Sequence, residues 1–95
     1  MKIVAMGAIL EAIHHKLNSA FAPLRLEVED DSARHAGHAG ARPGGESHFN
    51  VTIVSAAFAG EPRLTRQRMV YRALSDELAG PVHALSVKAL APDES

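Results

Sequence analysis

Apolar residues recur at steps of three and four along the first part of the chain, which predicts an amphipathic α-helix. The stripe consists of Ile3, Met6, Leu10, Ile13 and Leu17. Because proline disfavours a helical conformation in the residue before it, Pro23 is expected to end this helix close to Phe21.

Two later segments alternate between apolar and polar residues, and this period of two predicts strands with one buried face. The first segment has Leu24, Leu26 and Val28 on its apolar face, and the second has Phe49, Val51 and Ile53. Asp30 and Asp31 end the first strand with residues that favour turns. Residues 31–47 show no periodicity and are predicted to form an irregular loop. Two strands joined in this way most simply pair antiparallel.

A second helical region is expected between residue 60 and residue 80, followed by a third strand. Its apolar face is expected to contain Leu64, Val70, Tyr71, Leu74 and Leu78. Proline is tolerated at the start of a helix, and Gly80 with Pro81 is a stop signal. A break near residues 62–65 would divide this region into a short turn and a main helix. The third strand, in which Leu85 and Val87 alternate with polar residues, is often parallel to a neighbour when a helix precedes it.

These elements give the order α-β-β-α-β, which indicates an α+β domain with a three-stranded mixed sheet and helices on one face. Ninety-five residues with 46% apolar content suit a single domain, 1–95, with a frayed polar tail at 92–95. The first helix shows no cleavage-site pattern, and no apolar run approaches the roughly 20 residues that span a bilayer. The chain is therefore expected to be cytoplasmic, with no membrane contact.

Histidine and glycine are concentrated in the predicted loop. The stretch HAGHAGARPGGESH, residues 35–48, holds three of the six histidines and four of the seven glycines, and the chain has no cysteine. Any iron, zinc or copper bound here would need nitrogen and oxygen ligands, or a partner that brings the sulfur. His48 starts the second strand on the side opposite Phe49, so a structural role is favoured for it. His14 and His15 are expected to face solvent.

Several motifs occur together in this chain. They are VEDDS before the loop, GGESHFNVTIVS after it, FAGEPRLTRQRMVYRALSDEL over the second helical region, and GPVHALSVKALAP at the last strand. In this combination, from about Ile9 to Pro92, the sequence resembles the BolA family. The resemblance implies an α-β-β-α-(α)-β fold similar to a type II KH domain.

The same resemblance implies a partnership with a monothiol glutaredoxin in which the two proteins share a [2Fe–2S] cluster, for iron–sulfur trafficking or iron sensing. The glutaredoxin side would supply its cysteine and a glutathione thiol. On this chain the family pattern implies His83 as one metal ligand and His35 as the other, with His38 as a rival because it lies so close. A loop cysteine used in part of the family is absent here, so the chain resembles the histidine type. No cofactor is expected in the isolated protein.

The resemblance also implies an alternative function, since some BolA-like proteins are described as DNA-binding regulators of transcription. Basic residues are concentrated in the second helical region, at Arg63, Arg66, Arg68 and Arg72. Spacings of three and four put subsets of them on one side of a helix, where they could contact phosphates. Two features count against DNA binding. The net charge is −1, and the GXXG motif of KH domains is absent before the main helix, where residues 58–62 are FAGEP. A helix histidine common in the family is replaced by Gln67.

An enzyme is not expected. A hydrolase would need a nucleophile, a base and an orienting group within reach of one another. Ser47 and His48 are adjacent, but neighbours in a strand point to opposite faces and cannot easily form a catalytic pair.

Overall fold

The computed structural model describes residues 7–31 and 48–94 of the 95-residue chain. These residues form three α-helices and three strands in the order α-β-β-α-α-β. The elements are α1 (Ala8–Phe21), β1 (Arg25–Asp30), β2 (His48–Val54), α2 (Arg63–Ala73), α3 (Ser75–Ala79) and β3 (Ala84–Leu90). Two 3₁₀ turns, Ala56–Phe58 and Pro92–Glu94, follow β2 and β3. No helix in the described ranges is both long and apolar enough to cross a membrane.

The three strands form one sheet in the order β1-β2-β3. β1 pairs with β2 antiparallel, and β2 pairs with β3 parallel. Both pairings agree with the sequence prediction. A parallel pair needs a long crossover connection, which α2 and α3 provide between β2 and β3.

The helices cover one face of the sheet. The central strand β2 alternates half-buried and buried residues, and its buried side chains join those of α1, α2 and the turn after β2 in one apolar core. The members of this core are Ile13, Leu17, Phe49, Val51, Ile53, Phe58, Val70, Leu74 and Val82. The helix stripe predicted from the sequence is confirmed at Ile13 and Leu17, while Ile3 and Met6 lie outside the described residues.

Two apolar residues were wrongly predicted to be buried. Leu24 is 74% exposed. It lies in the bend before β1, so its side chain does not follow the alternation of the strand. Leu64 is 56% exposed in the first turn of α2. It precedes the buried Val70 by six positions, which places it about 120° away around the helix axis.

The second helical region divides at Leu74, between α2 and α3, and not at residues 62–65 as the sequence suggested. Leu74 has φ −108° and ψ 24°, and its N–H contacts the carbonyls of both Val70 and Tyr71. At this break the Leu74 side chain is fully buried. Lys16 of α1 contacts α3 through an ion pair with the nearly buried Glu77, at 2.8 Å.

The end of the chain also differs from the sequence prediction. Residues 92–94 were expected to be frayed, but they form the 3₁₀ turn Pro92–Glu94. Glu94 holds this turn, since its carboxylate accepts hydrogen bonds from the backbone N–H of Ala91 and from the guanidinium of Arg66.

Candidate functional site

His83 lies at the point where the chain enters β3, and its side chain is exposed. The preceding residue, Val82, is 4% exposed, and its backbone N–H donates to the carbonyl of Glu77 at 3.0 Å. These contacts fix the backbone directly before His83. The imidazole is therefore presented to solvent from a well-anchored position, which is what a ligand to a partner's metal would need.

The ends of the predicted loop lie at the same edge of the sheet as His83. His48, the first residue of β2, is in register with Ala84, the residue after His83. The Asp31 N–H donates to the His48 carbonyl at 2.7 Å, so the end of β1 also lies at this edge. Neighbouring strands are about 4.8 Å apart, so β1 and β3 are separated here by about 10 Å. The chain thus leaves and re-enters the sheet within a short distance of His83.

The other two predicted metal ligands, His35 and His38, lie outside the described residues, and their roles stay predictions. In residues 7–31 and 48–94, no three His, Asp or Glu side chains are grouped closely enough to hold a metal ion. The chain contains no cysteine. The described residues therefore do not form a complete metal site at this edge, and His83 is the predicted ligand that they contain.

His48 is half-buried at the start of β2, and the next residue, Phe49, is 1% exposed. The two side chains point to opposite faces of the sheet, as the alternation predicted. His15 is exposed, and His14 is half-buried with its Nδ1 3.1 Å from Nδ2 of Asn18.

The four arginines of α2 do not form one surface. Arg68 and Arg72 are exposed and lie one turn apart, whereas Arg63 and Arg66 line a groove between α2 and β3. Arg66 is occupied within the chain and its side chain is only 12% exposed. Its Nε donates to the Glu61 carbonyl at 2.8 Å, its Nη1 to the Ala89 carbonyl at 3.1 Å, and its Nη2 to Glu94 Oε2 at 2.9 Å.

The Arg66 guanidinium and the Ala91 N–H together lower the pKa of Glu94 to about 2, because both stabilise the charged carboxylate. Sequence reasoning missed this pair, since Arg66 and Glu94 are 28 positions apart and no spacing rule connects them. It also treated Tyr71 as only apolar. The Tyr71 hydroxyl donates to the Leu85 carbonyl at 3.1 Å and accepts from Gln67.

Comparison with known proteins gives a consistent match. The family model described as "BolA-like protein" matches residues 17–94. The chain is 46% identical to "SufE-like protein 1, chloroplastic/mitochondrial" of Arabidopsis thaliana, over 97% of this chain and 26% of that protein. The solved BolA domain of SufE1 from the same plant has a TM-score of 0.85 and 45% identity, covering 96% of this chain and 100% of that domain.

Two further relatives carry different names. "BolA-like protein 1" of Mus musculus is 47% identical over 93% of this chain and 61% of its own length. "DNA-binding transcriptional regulator BolA" of Escherichia coli is 49% identical over 83% of this chain and 71% of its own length. The chain thus spans about a quarter of the plant protein and about three fifths of the mouse protein. Because the plant relative is named for organelles, the cytoplasmic location of this chain stays a prediction.

Proposed function

The chain belongs to the BolA family, and from this membership we propose that it is an interaction protein that partners a monothiol glutaredoxin and co-ligates a bridging [2Fe–2S] cluster. Such a protein would act in iron–sulfur trafficking or iron sensing. One observation carries the proposal. The exposed His83 lies at the edge of the sheet where the chain leaves for, and returns from, its histidine-rich segment.

The ligand chemistry of the chain suits a shared cluster better than a cluster of its own. Without cysteine, the chain cannot supply the thiolates that hold most iron–sulfur clusters. Histidine nitrogen is an accepted substitute on one iron, as in Rieske centres, where it raises the reduction potential. The remaining iron would take sulfur ligands from the glutaredoxin and glutathione. The isolated chain is accordingly proposed to carry no cluster.

Chain length allows a second histidine to join His83. His35 is four residues beyond Asp31, and an extended chain spans up to about 3.5 Å per residue, so its backbone can move about 14 Å from β1. This exceeds the separation of about 10 Å between β1 and β3 at this edge. His38 is also within reach. His35 remains the leading candidate and His38 its rival.

Co-reconstitution tests the proposal. The chain, a monothiol glutaredoxin, glutathione, iron and sulfide are combined anaerobically, and the product is followed by size-exclusion chromatography and visible circular dichroism. We expect a heterodimer whose cluster spectrum differs from that of the glutaredoxin homodimer. His83→Ala should abolish this spectrum, and His35→Ala and His38→Ala would identify the second ligand.

His15→Ala is the matched control, because His15 is exposed on α1 and far along the chain from β3. It should leave the spectrum unchanged. An unaltered homodimer spectrum after mixing, or a normal heterodimer with His83→Ala, would refute the proposal.

A second candidate function is DNA binding, which the name of the Escherichia coli relative favours. The exposed Arg68 and Arg72 of α2 would contact phosphates, and Arg63 would contribute from the start of the helix. Affinity for duplex DNA should then fall steeply with salt, because neutralised phosphates release counterions. In an electrophoretic mobility assay, Arg68→Ala with Arg72→Ala should weaken binding while His83→Ala leaves it intact. The reverse pattern would count against this candidate.

A further inference from the structure

β3 is an outer strand of the sheet, and one side of its backbone faces away from β2. The Leu90 carbonyl points toward β2, where it accepts a hydrogen bond from the Ser55 N–H at 2.9 Å. Successive carbonyls of a strand point in opposite directions, so those of Leu85, Val87 and Ala89 point to the free side. The contacts of Tyr71 with the Leu85 carbonyl and of Arg66 with the Ala89 carbonyl confirm this direction.

The free side of β3 has more hydrogen-bond donors than acceptors. The N–H and the carbonyl of one strand residue point to the same side, so the N–H groups of Leu85, Val87 and Ala89 also face outward. No acceptor in the described residues contacts these three N–H groups. Side chains of α2 already occupy two of the three outward carbonyls, and among the described residues that of Val87 has no such contact. Within residues 7–31 and 48–94, the edge therefore offers three donors and one acceptor.

A groove of about 780 Å³ runs beside this edge, between β3 and α2. Its lining includes Arg63 and Lys88, both exposed, and a single acidic residue, Glu61. Arg66 also lines it, but Glu94 balances that charge. At the end of β3, the Glu94 carboxylate is held by a guanidinium and by the Ala91 N–H. The positive charges of the groove that Glu94 does not neutralise are therefore those of Arg63 and Lys88.

We propose that the groove docks an extended acidic peptide segment of a partner protein, which adds to the sheet as a fourth strand beside β3. Carbonyls of the peptide would accept from the three outward N–H groups, and a peptide N–H would donate to the Val87 carbonyl. The outward groups of β3 repeat every two residues, about 6.6 Å, and an extended peptide has the same repeat. Carboxylates on the exposed face of the added strand would lie next to Lys88. This surface does not depend on the cluster or on His83.

The test is fluorescence anisotropy with the full chain and a labelled peptide of alternating glutamate and valine. We expect saturable binding. A lysine–valine peptide should not bind, and neither should a glutamate–proline peptide, because proline lacks the N–H that pairs with Val87. In the amide NMR spectrum, the largest shifts should fall on Leu85, Val87 and Ala89.

Two variants test the charge and the backbone separately. Lys88→Glu should weaken binding by about tenfold or more because it opposes like charges. Arg72→Glu makes the same change of net charge outside the groove and should have little effect. Val87→Pro removes an N–H that faces the free edge, where proline is tolerated, and should abolish binding without breaking the pairing with β2. If circular dichroism shows that this variant is unfolded, the comparison of Lys88→Glu with Arg72→Glu decides.

Four outcomes would overturn the proposal. They are an absence of saturable binding, equal losses with Lys88→Glu and Arg72→Glu, amide shifts centred away from β3, and self-association of the chain through β3 without peptide. The proposal would also be overturned if duplex DNA, added at equal charge, displaced the labelled peptide and caused amide shifts in the same groove. The partner of the groove would then be nucleic acid and not a peptide.

Discussion

Arg66 shows how much a single side chain can organise in a small domain. Its guanidinium contacts the segment before α2 at Glu61, the end of β3 at Ala89, and the C-terminal turn at Glu94. Only arginine offers five N–H donors in a planar fork, so lysine could not satisfy three acceptors in these directions. Arg66 is also one of the candidate phosphate contacts predicted from the sequence, and that role stays a prediction; the structure shows its guanidinium bound to three partners within the chain.

Glu94→Gln should make the stability of the protein less dependent on pH. The pKa of Glu94 is lowered from 4.5 to about 2 in the folded chain, so its carboxylate stabilises the fold above about pH 4.5 and this contribution disappears as the pH falls toward 2. Urea unfolding at a series of pH values measures the effect. The wild-type protein should be the more stable one at pH 6, and the two curves should converge near pH 2.

Asp93→Asn provides the control for this experiment. Asp93 is exposed in the same turn and lies next to Glu94, yet the Arg66 hydrogen bonds go to Glu94. Its substitution should leave the difference between pH 6 and pH 2 nearly unchanged. A difference between wild type and Glu94→Gln that is the same at every pH would contradict the assigned pairing.

At the scale of single elements, the end of α1 contains an unfavourable backbone conformation. Ala22, directly after the helix, has φ 44° and ψ 55°, and its N–H donates to the Asn18 carbonyl at 3.0 Å. This left-handed position is the one that glycine usually occupies at helix ends, because a Cβ there approaches the following carbonyl. The exposed Ala22 therefore stores strain in the native state.

Ala22→Gly should raise the free energy of unfolding by about 0.5–1 kcal/mol, since relief of this strain exceeds the added flexibility of the unfolded chain. Ala20→Gly, two residues earlier and also exposed, lies inside α1 and should lower it by about 0.5–1 kcal/mol. Thermal unfolding of both variants measures the two effects. A decrease for both would show that Ala22 is not strained.

Elements that depend on local periodicity could be predicted from the sequence. Alternation identified β2 and β3, and the stripe through Ile13 and Leu17 identified α1, because both patterns follow directly from backbone geometry. Leu24 and Leu64 failed because they lie at element ends, where periodicity no longer determines burial. The break at Leu74 depends on packing against the core, which a local pattern does not contain.

The candidate site was also predictable only in part, because several of its contacts join residues that are distant along the chain. His83 was singled out by the resemblance, and the structure adds its exposure and its place at the edge of the sheet that also contains Asp31 and His48. The pairing of Arg66 with Glu94 and the caps on the β3 carbonyls bring together residues distant along the chain. Such contacts follow from the tertiary arrangement and have no signature in sequence spacing.

At the scale of the whole molecule, β3 connects His83 with the turn that Arg66 holds. His83 precedes its first residue, and the turn held by Arg66 follows its last. A strand rises about 3.3 Å per residue, so His83 and Ala91, which flank the seven residues of β3, lie about 26 Å apart. The groove lies along the strand between them. The proposed partner binding at His83 and the ion pair of Arg66 with Glu94 therefore lie at separate ends of one strand.

This separation predicts that variants at the two ends act independently. Exposed residues without structural contacts usually change stability by less than about 0.5 kcal/mol, so His83→Ala should leave urea unfolding nearly unchanged while it abolishes the heterodimer cluster. Glu94→Gln should lower stability at neutral pH and leave the cluster spectrum intact. In the double variant, the two stability changes should add within about 0.3–0.5 kcal/mol, as distant sites without shared partners do. Two outcomes would contradict this independence: a larger coupling energy in the double variant, or a cluster spectrum altered by Glu94→Gln alone. Either would mean that β3 transmits changes from one of its ends to the other. Peptide binding in the groove should then also alter cluster assembly.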